Sequence, residues 1–377
     1  MPFDKITPDR IRVYPLRKRK SKSVIERIAV RPDAEPPDPA GHGHLIQETA
    51  EHIVSAREHG AAVILAFGAH LVKNGLAPVV IRLVEEGWIT HAATNGAGGI
   101  HDWEFAWLGR SEEDVRKNVA SGTFGTWEET GRFINLAVKV GGARGMGYGE
   151  SLGALINNEA LHLPQREELA TIVHEGITQN AALAAAKLDL LHTIKTFDLQ
   201  PGQWRIPHKF KNYSIFGNAF RTSVPVTVHP GIGYDIIYNN PYANGAALGR
   251  GAHVDYQVMV KSVSKLSGGV FLSVGSAIMA PQVFEKALSA ANNVLAKEKK
   301  RVHNHFILVN DLQPKTWDWS RGEPPKDSPD YYLRFLKTFY RMGGTVRYLP
   351  ADNRLFLHNL YSLLKKKAPR PKGERDT

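Results

Sequence analysis

Glycine, asparagine, histidine, lysine and acidic residues cluster at two turns between residues 61 and 104. Each turn follows a short apolar run, at residues 61–67 and 89–94, and such a run predicts a strand that is buried on both faces. Open α/β sheets bind nucleotides at turns after the carboxyl ends of parallel strands, where glycine lets a ligand approach the backbone. We therefore predict a cofactor site at these turns. The predicted cofactor-binding residues are Gly68, His70, Lys73, Asn74, Thr94, Asn95, Gly96, Gly98, Gly99, Asp102 and Glu104.

Structural roles can also account for some of these residues. His70 and Lys73 fit a solvated helix start as well as phosphate binding at a helix amino terminus. Asp102 and Glu104 either bond a ribose hydroxyl or favour the first turn of their helix through its dipole. The asparagine and glycines at residues 95–99 follow a strand directly, and packing alone does not readily explain so many turn-forming residues. They favour contact with a cofactor.

Polar residues in the second half of the chain form a second set. Asp235 and Asp255 flank a loop rich in glycine, asparagine and tyrosine that contains Asn240. Asp318 and Glu323 lie in a loop with two tryptophans, whose ring faces attract amines through cation–π contacts. We predict that these five residues form the substrate side of a catalytic site. The structural alternative is a surface loop with a few buried aromatic residues.

Several features argue against other kinds of site. The chain has no cysteine, which excludes disulfides, thiolate nucleophiles and cysteine-ligated metals. The histidine pairs at 42/44 and 303/305 have no third ligand nearby in sequence, so no metal site is predicted. Gly275-Ser276 lacks the pattern of a nucleophile elbow. The glycine-rich stretch 141–149 is either a mobile lid, with Arg144 touching phosphate or substrate, or a flexible insertion.

Composition and charge indicate a soluble enzyme whose basic runs lie at its two ends. The chain has 377 residues, 42% hydrophobic and 23% charged, with a net charge of +11. No apolar run approaches the ~20 residues that a membrane span needs, and the amino-terminal region lacks the apolar core of a signal peptide. We expect a cytoplasmic protein without a membrane partner. Nucleic acid is not predicted as a partner either, because the basic runs lie at the two ends and carry no recognition motif.

Strands and helices are predicted to alternate through the body of the chain, which indicates a mainly parallel sheet with helices on both faces. Pro225 implies that its strand begins late or lies near a sheet edge. We divide the chain into a basic, proline-rich extension (1–42), an α/β domain (43–366) and a basic tail (367–377). The predicted strands are 61–67, 89–94, 223–229, 269–274, 305–310 and 345–349, and the predicted helices are 45–57, 75–86, 111–119, 165–191, 255–266, 281–296, 330–342 and 353–365.

Two segments carry a resemblance to a known family. Residues 67–75 (FGAHLVKNG) and 94–104 (TNGAGGIHDWE) resemble, in order and spacing, the cofactor-binding half of deoxyhypusine synthase. The likeness continues at 224–226, 231–235, 255, 275 and 345–353. The resemblance implies a Rossmann-like, doubly wound fold, NAD as cofactor and a homotetramer. It also implies oxidation of a polyamine and transfer of its aminobutyl group.

The chain departs from that family at the lysine that forms an imine with the transferred group. Alignment places Met279 at the lysine position, and a thioether cannot form an imine. The active-site histidine of the family falls on Asn240. We therefore expect an NAD-dependent enzyme that acts on a polyamine or another small polar amine without a lysine imine. The alternatives are a non-catalytic NAD-binding or nucleotide-binding protein, and a true deoxyhypusine- or homospermidine-type synthase that uses a displaced lysine, namely Lys261, Lys265 or Lys286.

Overall fold

The chain folds into two compact units. The computed structural model describes residues 3–367, and at Ser320 and Arg334 it describes the backbone alone. The first unit comprises residues 3–27, 99–221 and 230–255, and the second comprises residues 28–98, 222–229 and 256–367. Most of the predicted basic tail, at residues 368–377, lies outside the described residues.

Helices are the more abundant elements in the described chain. They are α1 (Ile25–Ile28), α2 (Gly43–Glu58), α3 (Ala69–Lys73), α4 (Ala77–Glu85), α5 (Gly96–Leu108), α6 (Val115–Ala120), α7 (Glu128–Gly142), α8 (Tyr148–Asn158), α9 (Arg166–Gln179), α10 (Ala181–Thr196), α11 (Ile215–Arg221), α12 (Gly245–Val263), α13 (Met279–Ala296), α14 (Arg334–Arg341) and α15 (Asn353–Leu364).

The strands are short. They are β1 (Ser23–Val24), β2 (Val63–Phe67), β3 (His91–Asn95), β4 (Arg110–Ser111), β5 (Ala160–Leu163), β6 (Gly202–Arg205), β7 (Val226–His229), β8 (Val270–Val274), β9 (Phe306–Asp311) and β10 (Thr345–Pro350).

Six of these strands form the central sheet of the second unit. Every neighbouring pair is parallel, and the order is β7–β3–β2–β8–β9–β10. Counted along the chain, this is third, second, first, fourth, fifth and sixth, which is the strand order of dinucleotide-binding Rossmann sheets. The predicted fold class, a Rossmann-like doubly wound parallel sheet, is confirmed.

Helices cover both faces of the sheet because successive side chains of a strand point to opposite sides. Ile64, Phe271 and Ile307 share one apolar cluster with residues of α12, α13 and α14. On the other face, Phe306 stacks on His52 of α2 at 4.1 Å between ring centroids. Helices α4 and α15 complete that layer around α2. Continuous burial on two sides explains why these strands are apolar throughout their length.

The start of β7 and its place in the sheet agree with the prediction made from Pro225. It begins at Val226, directly after Pro225, and it is the last strand of the sheet. Proline has no amide hydrogen to donate, so a position at the start of an edge strand suits it. The Pro225 carbonyl still accepts from the Ala92 amide of β3 over 3.0 Å. Both parts of the prediction from Pro225 are therefore confirmed.

The first unit is mainly helical, with two small antiparallel sheets that pair β1 with β4 and β5 with β6. The glycine-rich stretch 141–149 joins α7 to α8, and only residues 143–147 lie outside the two helices. Across residues 3–367, no helix combines the length and the apolar character that crossing a lipid bilayer would require.

Candidate functional site

The carboxyl ends of β2 and β8 define the topological switch point of the sheet. These two strands are neighbours, and the chain leaves them towards opposite sides of the sheet. In open α/β sheets, a crevice forms at such a point and binds the ligand. Here the turns after the two strands begin at Gly68 and Gly275.

Gly68 and Gly275 bring two backbone segments unusually close together. The Gly68 amide donates to Val274 O over 3.1 Å. A Cβ atom placed on Gly68 would lie 2.0 Å from Gly275 O, and Gly275 itself has a φ of +57°. No other residue type fits at position 68 without a shift of the backbone, and a positive φ favours glycine at position 275.

A cavity of about 240 Å³ opens at this switch point. All of its wall lies in the second unit, at or just beyond the carboxyl ends of β2, β8, β9 and β10. Its lining residues are His70, Asn74, Gly275, Asn310, Asp311, Leu312, Ala351, Asp352 and Asn353.

Asn310 supplies a hydrogen-bond acceptor that the protein itself does not use. Its side-chain nitrogen donates to Leu349 O over 3.1 Å and to Ala351 O over 2.7 Å, which fixes the orientation of the amide. Its Oδ1 atom is buried and has no partner among the described residues. An unsatisfied buried acceptor is costly, so a ligand donor at this position would stabilise the site.

Two carboxylates add further acceptors to the cavity wall. Asp311 Oδ1 accepts from the Leu312 amide over 2.7 Å, and Asp352 Oδ1 caps α15 by accepting from the Arg354 amide over 2.7 Å. Each carboxylate has four lone-pair sites and can accept further bonds. The wall is therefore rich in acceptors, which suits hydroxyl and amino groups better than phosphate oxygens.

The second predicted turn lies beside the first but has mainly structural contacts. Phe67 pairs with Thr94, and the Thr94 hydroxyl donates to Phe67 O over 2.9 Å. A Cβ on Gly98 would lie 2.1 Å from Thr94 Oγ1, and Asn95 Oδ1 caps α5 by accepting from the Gly98 amide over 2.9 Å. Packing does account for Gly98, contrary to our sequence-based argument. His70 and Asn74 of the first turn line the cavity, whereas residues 94–98 do not.

The remaining predicted cofactor residues differ in their surroundings. Gly96 opens α5, and Lys73 ends α3 without lining the cavity. Gly99, Asp102 and Glu104 belong to the first unit. Asp102 accepts from the Ser214 hydroxyl and from the Ile215 amide, and burial raises its pKa to about 7.

Glu104 lies in a buried polar cluster of the first unit. Its two oxygens accept from Arg19 over 2.7 Å each, and Ser111 and Thr130 donate to them as well. Burial opposes ionisation of Glu104, but the charge and hydrogen bonds of Arg19 outweigh it and lower the pKa. Arg19 was not singled out by the sequence, which showed only that it belongs to a basic run. Cofactor contact by Asp102 and Glu104 stays a prediction.

Three of the predicted substrate residues lie in the first unit and are buried. Asp235 accepts from the Gly231 amide over 2.8 Å, and burial raises its pKa to about 6. Asp255 accepts from the Gly149 amide over 2.9 Å. Asn240 accepts from the Tyr242 amide over 3.0 Å, while its Nδ2 atom is buried without a partner in the described chain.

The other two predicted substrate residues lie in the second unit and are more exposed. Glu323 pairs with Arg341 at 2.6 Å, and the hydrogen bond from Arg341 lowers its pKa. Asp318 lies on the exposed side of the same loop. Trp317 donates to Gly322 O over 2.9 Å, and Trp319 is buried in the apolar cluster of α13 and α14. The rings of this loop thus have structural roles as well.

Met279 and the three alternative lysines occupy contrasting positions. Met279 is the first residue of α13 and is buried in the apolar cluster beside the sheet. Lys261, Lys265 and Lys286 are all exposed, and Lys286 pairs with Glu285 at 3.2 Å. A nucleophilic lysine is usually activated by a desolvated pocket or a neighbouring cation, and none of these exposed positions offers the desolvated pocket.

Comparison with known proteins adds no functional assignment. No protein-family model matches the chain, and no curated protein matches it. Among solved structures, it is similar to an apo arginine dihydrolase, ArgZ, of the ornithine–ammonia cycle in cyanobacteria (12% identity, TM-score 0.43, 86% of this chain and 33% of that one). It is also similar to AgrE in a ternary complex with ornithine and NAD+ (13%, 0.43, 88% and 34%).

A third similar structure is a conserved LOR/SDH protein from Methanococcus maripaludis S2 (14% identity, TM-score 0.42, 89% of this chain and 71% of that one). The chain spans about a third of the length of ArgZ and AgrE. At such identities and TM-scores, these likenesses carry no argument about activity. The resemblance to deoxyhypusine synthase stays a prediction.

Proposed function

We propose that the chain is an NAD-dependent enzyme that oxidises a small amine and holds NAD at the switch point of its second unit. One observation carries the proposal. The cavity of a sheet with dinucleotide-binding strand order contains a fixed, buried and unpartnered acceptor, Asn310 Oδ1. Perturbed or unsatisfied polar groups in a cleft favour a binding role over a purely structural one.

The residues present fit NAD. Ribose hydroxyls and the adenine amino group are donors, and the cavity offers acceptors on Asn310, Asp311 and Asp352. At about 240 Å³, the cavity is smaller than the roughly 300–1,000 Å³ typical of small-molecule sites, so it would hold one part of the dinucleotide. Gly275, which lines the cavity and has no side chain, would let the diphosphate approach the backbone closely. When bound, NAD accepts a hydride from the carbon that bears the amine.

Acidic residues supply the amine side of the proposal. Asp318 and Glu323, which belong to the same unit as the cavity, would attract an ammonium group. A substrate role for Asp235, Asn240 and Asp255 of the first unit stays a prediction. The buried Met279 and the exposed lysines at 261, 265 and 286 favour oxidation without a lysine imine. A more specific alternative is that the chain transfers an aminobutyl group in the manner of deoxyhypusine synthase and assembles as a homotetramer. This alternative requires a displaced lysine.

Calorimetric titration of the purified chain with NAD tests the cofactor assignment. We expect saturable binding that weakens about two- to tenfold in Asp311→Ala, because one hydrogen bond to the ligand is lost. Asp327→Ala is the matched control, since Asp327 is an exposed carboxylate of the same unit that does not line the cavity. Absence of NAD binding to the unmodified chain would overturn the proposal.

The activity is tested with NAD and a panel of polyamines and amino acids, by following the absorbance of reduced nicotinamide. Reduction with an amine supports the enzyme. Binding of NAD without reduction by any amine supports a non-catalytic NAD-binding protein instead. Borohydride trapping of an imine at Lys261, Lys265 or Lys286 would favour the synthase alternative.

A further inference from the structure

A strongly basic stretch near the start of the chain, residues 10–22, forms part of the folded first unit. It contains no acidic residue, and the acidic residues nearest to it along the chain are Asp9 and Glu26. All of its cations except Arg19 are exposed to solvent. These exposed cations are Arg10, Arg12, Arg17, Lys18, Lys20 and Lys22. We refer to residues 10–22 as the basic segment.

Hydrogen bonds of its backbone hold the basic segment against the body of the first unit. The Tyr14 amide donates to Thr126 O over 2.8 Å, and the Tyr14 carbonyl accepts from the Glu128 amide over 2.8 Å. The Leu16 amide donates to Glu129 Oε2 over 2.6 Å. The basic segment therefore has a fixed place on the surface of the unit and is not a freely solvated tail.

The buried ion pair between Arg19 and Glu104 leaves the lysines of the basic segment on the outside. The side chain of Arg19 is only 2% exposed, whereas Lys18 and Lys20 on either side of it are exposed. Within residues 3–367, no salt bridge joins Lys18, Lys20 or Lys22 to a carboxylate. Their charges thus face solvent, where they can meet an anionic partner.

Aromatic rings lie beside two of the exposed arginines. Arg12 Cζ lies over the ring of Tyr14, at 5.2 Å from its centroid, and Arg17 Cζ lies over the ring of Trp107 in α5, at 5.7 Å. Trp107 is half-buried and stacks on Trp103, with 5.5 Å between the ring centroids. Residues 17–22 include no aromatic residue, so the sequence did not reveal that α5 supplies one.

Exposed cations next to aromatic rings are typical of surfaces that bind single-stranded nucleic acid. Such surfaces combine cations that follow the phosphates with aromatic side chains and arginines on which the bases stack. A duplex offers phosphates, but its bases are stacked inside and would not contact the rings. An acidic protein or an anionic membrane offers negative charge without bases. Unpaired nucleic acid therefore matches both features of the surface.

We propose that the basic segment, together with Trp107, binds single-stranded nucleic acid on the first unit. Lys18, Lys20 and Lys22 neutralise phosphates, and the guanidinium planes of Arg12 and Arg17 stack on bases. This proposal revises our sequence-based expectation that nucleic acid is not a partner. It does not depend on the proposed function, because the cavity assigned to NAD lies in the second unit.

Fluorescence anisotropy with a labelled oligouridylate of about 12 nucleotides tests the surface in the full chain without NAD. We expect a dissociation constant on the order of 10 µM at about 50 mM salt, as for other non-specific binding. Lys18→Glu, Lys20→Glu and Lys22→Glu combined should weaken binding at least about tenfold. The slope of log affinity against log salt concentration should become shallower by about 2, because each phosphate contact contributes about 0.7.

A second triple substitution is the matched control. Lys297→Glu, Lys299→Glu and Lys300→Glu combined change the net charge equally, at exposed lysines of the second unit. This variant should bind the oligouridylate within about twofold of the unmodified chain, because only the long-range field of the protein changes. Arg17→Gln, which leaves Trp107 in place, should weaken binding about fivefold through loss of stacking. All of these substitutions are at exposed side chains, so the fold is not at risk.

Several results would overturn the proposal. They are no binding of the oligouridylate at about 50 mM salt, equal weakening by the two triple substitutions, or tighter binding of a duplex of the same length. Binding of phosphatidylserine vesicles without binding of the oligouridylate would also overturn it and would assign the surface to a membrane. Titration with NAD does not affect these outcomes, so the proposed function can fail while this proposal stands.

Discussion

Gly68 lies where two backbone segments at the switch point come closest. We predict that Gly68→Ala lowers the free energy of unfolding by about 1–3 kcal/mol, the usual cost of overpacking. The new Cβ would lie 2.0 Å from Gly275 O, and a carbonyl of the main chain cannot rotate away as a side chain can. The variant should also bind NAD more weakly, because the floor of the cavity must shift. Urea unfolding and calorimetry measure the two effects.

The control for this prediction is Gly249→Ala. Gly249 lies within α12, and a Cβ there would meet no heavy atom within 4 Å. Alanine in an exposed helix position should stabilise the chain by roughly 0.5–1 kcal/mol. Equal effects of the two substitutions would show that the close approach at Gly68 is not a constraint.

At the scale of single residues, the sequence located the candidate site only in part. Residues of the first turn, His70 and Asn74, do line the cavity. Asn310, which carries the proposal, was recognised only as the end of a strand, because its importance depends on bonds to Leu349 and Ala351. Unsatisfied atoms of this kind are defined by partners distant in sequence, and no local pattern reveals them.

Among the elements, the amino-terminal segment and α5 are joined by a buried ion pair. The Arg19–Glu104 pair is 2.7 Å long, and both side chains are almost completely buried. We predict that Arg19→Met lowers the free energy of unfolding by about 3–5 kcal/mol, because it leaves a buried carboxylate without its cation. Chemical unfolding of the variant and of the unmodified chain measures the difference.

A double substitution distinguishes the cost of breaking the Arg19–Glu104 ion pair from the cost of losing side-chain packing. Arg19→Met with Glu104→Leu should be more stable than Arg19→Met alone, since the uncompensated charge is removed. The exposed pair Lys300–Glu298 is the control, and Lys300→Met should have no measurable effect. If Arg19→Met were as harmless as Lys300→Met, the segment would not depend on this ion pair.

The elements of the second unit were more predictable than those of the first. All six sheet strands and most of their helices were anticipated within a few residues, because burial on two faces leaves continuous apolar runs. In the first unit, α7, α8 and α11 were not predicted as helices. The glycines at the junction of α7 and α8 obscured the helical pattern there. Their small size is needed for packing, as a Cβ on Gly141 would lie 1.9 Å from Ser151 Oγ.

For the whole molecule, the sequence indicated a parallel sheet but left the order of its strands open. Alternating strands and helices are compatible with several orders. The observed order depends on which apolar strands pair in space, and it determines where the switch point lies. The sequence places the site at the ends of strands. Only the structure shows that it lies between β2 and β8.

The pH dependence of stability should follow from a buried polar chain that links β3, β7 and α12. His91 contacts the Ser262 hydroxyl at 2.7 Å and the Thr227 hydroxyl at 2.9 Å, and Thr227 in turn contacts His229 at 3.1 Å. Burial, and then the charge of His229, lowers the pKa of His91 to about 3, and burial lowers that of His229 to about 4. The folded chain therefore holds both rings neutral.

Acid should destabilise the protein through these two histidines. The folded pKa values lie below the ordinary value of about 6.5, so the unfolded chain takes up protons first as the pH falls. The stabilisation is complete above pH 6.5 and is lost towards pH 3, with about 2 kcal/mol lost per histidine between pH 7 and pH 5. In His91→Gln, the difference in unfolding free energy between these two pH values should shrink by about 2 kcal/mol. Urea unfolding at both pH values measures it, with the exposed His162→Gln as control, and an unchanged difference in His91→Gln would show that the His91 ring accepts a proton within the fold.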